Sequence, residues 1–272
     1  MKNLIFITLL LIFVSCEKQT DWKLKGKPGD FIVVDGIITD EQKAQCIKIS
    51  FPVDQLNKTP EPVTGANVII NNEDSVFQLT EIPTNSGNYY TANSFLGLLN
   101  KHYTLQIYYK NKVYTAKATM IPAISFSPLR YSKNSTDEKY HIDWVANAYD
   151  ADNFAIYEIS LDWSALPQYQ NINPDSCKAK LYYYTLPTID VSEVLAPGKQ
   201  AISFPVGTII TEKRYSITYE YAEFLRALLL EANWQGGLFD SERSNLPTNL
   251  SQGAIGFFGA CSVTSLSLTV TQ

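Results

Sequence analysis

Tyr103-Thr-Leu-Gln-Ile-Tyr-Tyr109, then Lys110-Asn111, then Val113-Tyr-Thr-Ala-Lys-Ala-Thr119 is the most regularly alternating part of the chain. Tyr103, Leu105, Ile107 and Tyr109 share one face of an extended chain, and Tyr114, Ala116 and Ala118 share one face of the return. Side chains alternate faces along a strand, so period-two patterning on both sides of a two-residue turn predicts a β-hairpin. Met120-Ile-Pro122 closes the unit.

Upstream of the hairpin the texture is the same. Phe31–Ile38 is a β-branched run, Gln45–Phe51 is a second strand, Ala66–Ile70 a third, and Ser75–Leu79 a fourth after the turn-like Asn71-Asn-Glu-Asp74. Pro52–Gly65 carries prolines and reads as a loop. About seven short strands in roughly 90 residues predict a small β-sandwich over 31–121. Downstream, over 122–272, strands are expected at Ile124–Arg130, Tyr140–Ala148, Phe154–Trp163, Ala179–Thr185 and Gln200–Pro205, and again at Ala254–Phe258 and Ser262–Val270. One helix is predicted, at about 216–234. Tyr221, Leu225, Leu228 and Ala232 recur three and four apart, no Gly or Pro interrupts, and Gly236-Gly237 stops it. The fold class is therefore mainly β, with one main helix in the second region.

The other end of the chain concerns address. Met1-Lys2-Asn3 precedes an apolar run, Leu4–Val14, broken only by Thr8, and Ser15-Cys16 follows. A positive charge, a short apolar core and a small residue before the cut predict a secretory signal over residues 1–15. The run is shorter than the roughly 20 apolar residues of a spanning helix. Phe13-Val14-Ser15-Cys16 resembles a bacterial lipobox, with Phe13 where Leu is usual, so Cys16 is the expected lipidation site and 16–30 a lipidated polar tether. Loss of residues 1–15 removes Lys2 and moves the formal net charge from −5 to −6. An acidic chain of this kind argues against a nucleic-acid partner.

Cys46, Cys177 and Cys261 remain. An exported compartment permits one bridge and one leftover thiol, or three free thiols. Cys46 lies on the strand face opposite Ile47, Ile49 and Phe51, which favours a Cys177–Cys261 pair. No zinc spacing, H-E-x-x-H, G-x-S-x-G or phosphate-binding glycine loop occurs, and His102 and His141 read as ordinary strand residues. No cofactor is expected. Asp150, Asp152, Glu158, Asp162 and Asp240 are the acids from which a hydrolytic pair would come. Asp150-Ala-Asp-Asn153 reads as a turn in which Asx side chains bond the backbone, with calcium binding as the alternative. The aromatic surplus points elsewhere: Tyr182-Tyr183-Tyr184 puts tyrosines on both faces of a strand. Tyr169, Tyr183 and Phe239 are the candidate partner-binding residues, carried on or beside the long segments Ser164–Ser176, Leu186–Lys199 and Gly236–Asn249.

Several of these stretches also resemble one family. They are Ile32–Asp40, Pro62–Val68, Gly87-Asn-Tyr-Tyr90, the hairpin Tyr103–Ala116, Asp150–Phe154 and, most specifically, Tyr215–Val263 with Gly236–Asp240, Pro247–Ser251 and Gly253–Gly259. Together they resemble the lipoproteins of the domain of unknown function 4249 family. The N-terminal part by itself is similar to Ig-like or carboxypeptidase-regulatory-like β-sandwiches. The resemblance implies a lipid-anchored outer-membrane protein that partners a TonB-dependent transporter of the SusC-like type, with no established reaction. A non-enzymatic accessory or binding role is the expectation; the alternative is a surface-attached, glycan-active hydrolase using an Asp/Glu pair. Gly256 and Gly259, flanking Phe257-Phe258, are expected to permit a bulge or close backbone approach.

Overall fold

The computed structural model describes residues 31–53, 55, 57–188, 202–233 and 246–272. The expected signal and tether, Cys16 and Phe239 lie outside the described residues.

The first region contains β1 (Ile32–Thr39), β2 (Cys46–Ser50), β3 (Asn67–Asn71), β4 (Val76–Gln78), β5 (Thr80–Glu81), β6 (Asn88–Tyr90), β7 (His102–Tyr109) and β8 (Lys112–Thr119). The β7–β8 hairpin forms in the expected register, with Tyr103 opposite Ala118 and Tyr109 opposite Lys112. Its turn residues Lys110 and Asn111 both take positive φ, 43° and 61°. A two-residue turn of that kind matches the right-handed twist of the flanking strands.

The second region contains β9 (Arg130–Lys133), β10 (Tyr140–Trp144), β11 (Ala155–Asp162), β12 (Lys178–Thr185), β13 (Ile209–Ser216), α1 (Tyr219–Asn233) and β14 (Ala254–Thr269). The protein is mainly β, and α1 is the one α-helix among the described residues. It lies within the span the periodicity predicted.

The strands form an eight-stranded sheet in the order β12-β11-β13-β14-β1-β2-β6-β5, a four-stranded sheet β4-β3-β7-β8 and a two-stranded ribbon β10-β9. The long strand β14 joins the two regions. Ala254–Cys261 pair in parallel with β1, and Ser262–Thr269 pair antiparallel with β13. At Gly256, φ is +100° and an added Cβ would stand 2.1 Å from the Val34 carbonyl oxygen. That close approach is what the sequence pattern anticipated, and it admits only glycine.

Three cores result. The β-sandwich core packs Ile32, Val34, Ile47 and Ile49 of the large sheet against Val68, Ile70, Leu105 and Ile107 of the smaller one. Phe258 enters this core from β14. The next residue back, Phe257, points the other way, into a core with Tyr221, Phe224 and Leu225 of α1. On the sheet face away from α1, Tyr157, Ile159, Leu161 and Ile210 pack beneath Leu129, Tyr140 and Val145.

Several expectations are corrected. Of the expected strand Ile124–Arg130 only Arg130 is strand, as the first residue of β9; residues 122–129 cross the sheet face instead, clipped where Leu129 N–H donates to Glu212 Oε2 (3.0 Å) and Thr264 Oγ1 to the Ile124 carbonyl (3.1 Å). Of the expected strand at Gln200–Pro205, residues 200 and 201 lie outside the described residues, and Phe204 makes an isolated bridge to Tyr140. The sequence pattern missed β13 because its buried face carries Glu212, Arg214 and Ser216 while Ile209 faces solvent, the reverse of apolar-in alternation.

The Cys177–Cys261 bridge is not formed; both thiols are buried and free. Cys177 precedes Lys178, which pairs with Asp162 and through it with Ile209, whereas Cys261 adjoins Ser262, paired with Ser216 at the opposite end of β13. The length of β13, roughly 20 Å, separates them, far beyond the roughly 7 Å Cα limit for a disulfide.

Candidate functional site

A cleft of about 250 Å³ opens where the sandwich, α1 and β14 meet. Lys117 and Thr119 of β8 form one wall, Thr218, Glu220 and Tyr221 the other, and Phe257–Ala260 the floor. Asn249 stands at its side. Its Nδ2 donates to the Lys117 carbonyl (2.8 Å) and the Phe258 carbonyl (2.7 Å), while its Oδ1 accepts from Phe258 N–H (3.1 Å). Thr248 Oγ1 donates to the Gly256 carbonyl (2.7 Å). These side chains stand in for a missing strand along the part of β14 that β13 does not reach. They satisfy peptide groups that would otherwise be costly to leave half-buried.

The second feature is a loop at the end of the sandwich. Between β6 and β7, Leu96, Leu98 and Leu99 are 46%, 45% and 47% exposed, around the buried Phe95. Their backbone is held on all sides. Gly97 N–H donates to the Thr39 carbonyl (3.1 Å), Lys43 N–H to the Phe95 carbonyl (3.2 Å) and Asn100 N–H to the Met120 carbonyl (2.7 Å). Leu98 N–H donates to the Tyr103 hydroxyl (2.6 Å). Beside the loop, Lys101 pairs with Asp74 (2.6 Å). The result is a fixed apolar knob with three leucines in solvent, where a flexible loop would lower their exposure by folding back.

The charged residues are mostly accounted for locally. Glu158 Oε1 pairs with Lys180 (3.0 Å) and its Oε2 accepts from the Tyr182 hydroxyl (3.2 Å). Asp162 accepts from the Ser164 hydroxyl (2.7 Å), which holds its carboxyl below the usual range. Glu158 and Asp162 lie four residues apart on one strand, about 13 Å, outside the roughly 5–9.5 Å separations of glycosidase pairs. Asp150 Oδ1 accepts from the N–H groups of Asp152 and Asn153 (2.9 Å each), the Asx turn read from the sequence. The Asp152 amide is the main reason the Asp150 carboxyl is lowered. Among the described residues no cluster of His, Cys, Asp or Glu is placed to hold a metal.

Glu212 and Arg214, two apart on β13, are both buried, and no sequence signal marked them. Glu212 Oε1 has no hydrogen-bond partner, and burial pushes the carboxyl up to about 7 against the lowering effect of the Leu129 amide. Arg214 donates to neutral oxygens: Ser216 Oγ (2.6 Å), the Tyr157 hydroxyl (3.3 Å) and the Asn153 carbonyl (3.4 Å). The pair tie the crossing segment and the Asp150 turn to the sheet.

The tyrosines expected to face a partner separate. Tyr169 is half-buried in a 3-10 turn, Pro167–Tyr169, inside the segment 164–176. Tyr183 is half-buried against the core beneath the β9–β10 ribbon. Tyr182, its neighbour on the other face of β12, is 49% exposed. No described helix is long and apolar enough to cross a membrane.

A family model described as "Domain of unknown function (DUF4249)" matches residues 17–267. The chain belongs to this family. The match spans the sandwich, α1 and nearly all of β14, so family membership covers both regions of the large sheet. No curated protein matches. Among solved structures, the chain is 13% identical to a DUF4785 family protein from Legionella pneumophila subsp. pneumophila str. Philadelphia 1, covering 69% of this chain and 52% of that one. The TM-score is 0.17, so that likeness carries no argument here.

Proposed function

We propose that this member of the DUF4249 family is a lipid-anchored outer-membrane lipoprotein without catalytic activity, an accessory of a TonB-dependent transporter of the SusC-like type. The observation that carries the reading is the fixed knob of Leu96, Leu98 and Leu99. It adjoins Thr39, the last residue of β1, a strand that begins at Ile32. The strand between is roughly 25 Å long. On this reading the membrane holds the chain from the Ile32 end of β1, and the knob docks at the Thr39 end. Covering the exposed half of each leucine contributes about 1 kcal/mol. The fixed backbone keeps the ordering cost of docking low. An apolar pocket on an extramembrane loop of the barrel is the matching chemistry.

The test uses the full chain in its own envelope. Replacing Leu96, Leu98 and Leu99 together by Ser should leave the chain folded with a modestly lowered thermal midpoint, because nearly half of each side chain is already in solvent. Affinity purification from detergent-solubilised outer membranes should recover a β-barrel transporter with the parent chain and lose it with the triple variant. Equal recovery with both, or no barrel with the parent, overturns the reading. The anchor is tested separately: Cys16→Ala should abolish incorporation of a clickable palmitate analogue.

A further inference from the structure

The large sheet ends on β12, and the outer edge of that strand carries backbone groups of known orientation. Trp163 N–H donates to the Cys177 carbonyl (3.0 Å), so the odd-numbered residues of this segment bond inward to β11. In an antiparallel pair the alternate residues point their N–H and C=O the other way. Lys178, Lys180, Tyr182 and Tyr184 therefore present their peptide groups outward. Leu186 continues the parity: its N–H and C=O meet Ala148 (2.9 Å) and Asp150 (3.2 Å). Among the described residues, the edge from Lys178 to Tyr184 has no strand beside it.

An open edge is a template for strand addition, and exposed lysines on it normally repel another strand. Here the sequence of the edge is self-complementary. An antiparallel copy bonds only if its own outward residues face these outward residues. With the two-fold axis at Leu181, Lys180 faces Tyr182 of the second copy and Lys178 faces Tyr184, while Leu181 faces itself. Each ammonium meets an aromatic ring, never another ammonium, and Lys–aromatic contact is favourable. Glu158 of β11 holds both Lys180 and the Tyr182 hydroxyl on this face, so its carboxylate also offsets the edge's positive charge. An axis midway between two residues opposes outward residues to inward ones; an axis at Lys180 sets that ammonium against its own copy, and an axis at Tyr182 sets Lys178 against Leu186, whose outward groups Ala148 and Asp150 already take. An axis at Ala179 puts Lys178 against Lys180.

We propose that the outer edge of β12 is a homophilic docking site, where a second copy of this chain adds its own β12 antiparallel about a two-fold axis at Leu181. The contact is isologous and closed, so it ends at two copies and joins two eight-stranded sheets edge to edge. A single strand pair is a modest interface. Tethering both copies to one membrane raises their effective concentration and favours it.

The register makes the test specific. Lys180→Cys and Tyr182→Cys are made singly in the full chain, expressed in cells with distinguishable tags, and oxidised in isolated membranes. Position 180 faces position 182 of the other copy at a Cα separation of about 5.5 Å, within disulfide range. Co-expression of the two variants should yield a cross-linked dimer at least about tenfold more abundant than either variant alone, whose own cysteines are offset diagonally. The parent chain, carrying Cys46, Cys177 and Cys261, reports any background. A mixture that cross-links no more than the single variants overturns the proposal. As a second measurement, Tyr182→Pro removes an outward N–H and leaves the β11 ladder intact. It should convert a detergent-solubilised dimer in sedimentation into a monomer; a parent chain that sediments as a monomer, or a proline variant that stays dimeric, also overturns it.

Discussion

Tyr221 of α1 and Phe257 of β14 lie face to face, their ring planes 3° apart and their centroids 4.6 Å apart. Phe224 adds a second ring 5.1 Å from Phe257. The stack docks the helix against the half of β14 that pairs with β1. Phe257→Ala should destabilise the chain by about 3–5 kcal/mol, the cost of emptying a buried aromatic site. Phe258→Ala should cost a similar amount by opening the sandwich core. Urea unfolding followed by tryptophan fluorescence and far-ultraviolet dichroism tests both; a loss under about 1 kcal/mol for either would show that the joint is not held there.

Gly259 serves the same stack. An added Cβ would stand 2.7 Å from Tyr221 Cε1, so Gly259→Ala must push the ring off Phe257. We expect a loss of about 1–3 kcal/mol by overpacking. Combining it with Tyr221→Leu should recover part of that loss, because the offending ring edge is then gone. Additive losses in the double variant would place the cost elsewhere.

Asn249→Ala removes three hydrogen bonds and leaves the Phe258 amide without its acceptor. A loss of about 2–3 kcal/mol is expected. Asn249→Asp keeps the acceptor for Phe258 N–H but loses both donors, so it should fall between the parent and the alanine variant. Chemical denaturation of the three proteins gives the order directly.

Glu212 sets a pH dependence whose sign is fixed by its burial. Its folded-state value is raised from 4.5 to about 7, so between those values the folded chain holds a proton that the unfolded chain has released. Stability from this group is complete below about pH 4.5, falls as pH rises towards 7, and levels off above, with a limiting slope of about 1.4 kcal/mol per pH unit. Glu212→Gln should flatten that decline while still accepting from the Leu129 amide. An identical pH–stability profile for parent and variant would remove Glu212 as its cause.

Because Cys177 and Cys261 are buried, free and far apart, reductant should leave the unfolding midpoint unchanged. Burial pushes the Cys261 thiol far up, which makes it slow to react. Mass spectrometry after brief alkylation of the folded chain should find label on the half-buried Cys46 before the other two. Early labelling of Cys261 would contradict the packing around it.

The local elements are written in the residue pattern. Alternation in Tyr103–Thr119 specified the hairpin and its turn, because side-chain direction in a strand depends only on parity. The three-and-four spacing from Tyr221 to Leu228 specified the helix, and the glycine at 256 announced a close backbone approach. The stretches from Ile32 to Gly259 resembled one family, and the match over residues 17–267 bears that out. What tertiary structure decided is everything that depends on distant partners. β14 reads locally as two short strands, yet it is one strand of 16 residues, because β1 supports its first half and β13 its second. β1 and β14 pair in parallel across more than two hundred residues, and nothing in either segment records that neighbour. The same holds for Cys177 and Cys261, which composition suggested as partners and the sheet places at opposite ends. It holds also for Tyr182 and Tyr183: parity puts them on opposite faces, but only the ribbon packed on one face decides which tyrosine is left in solvent.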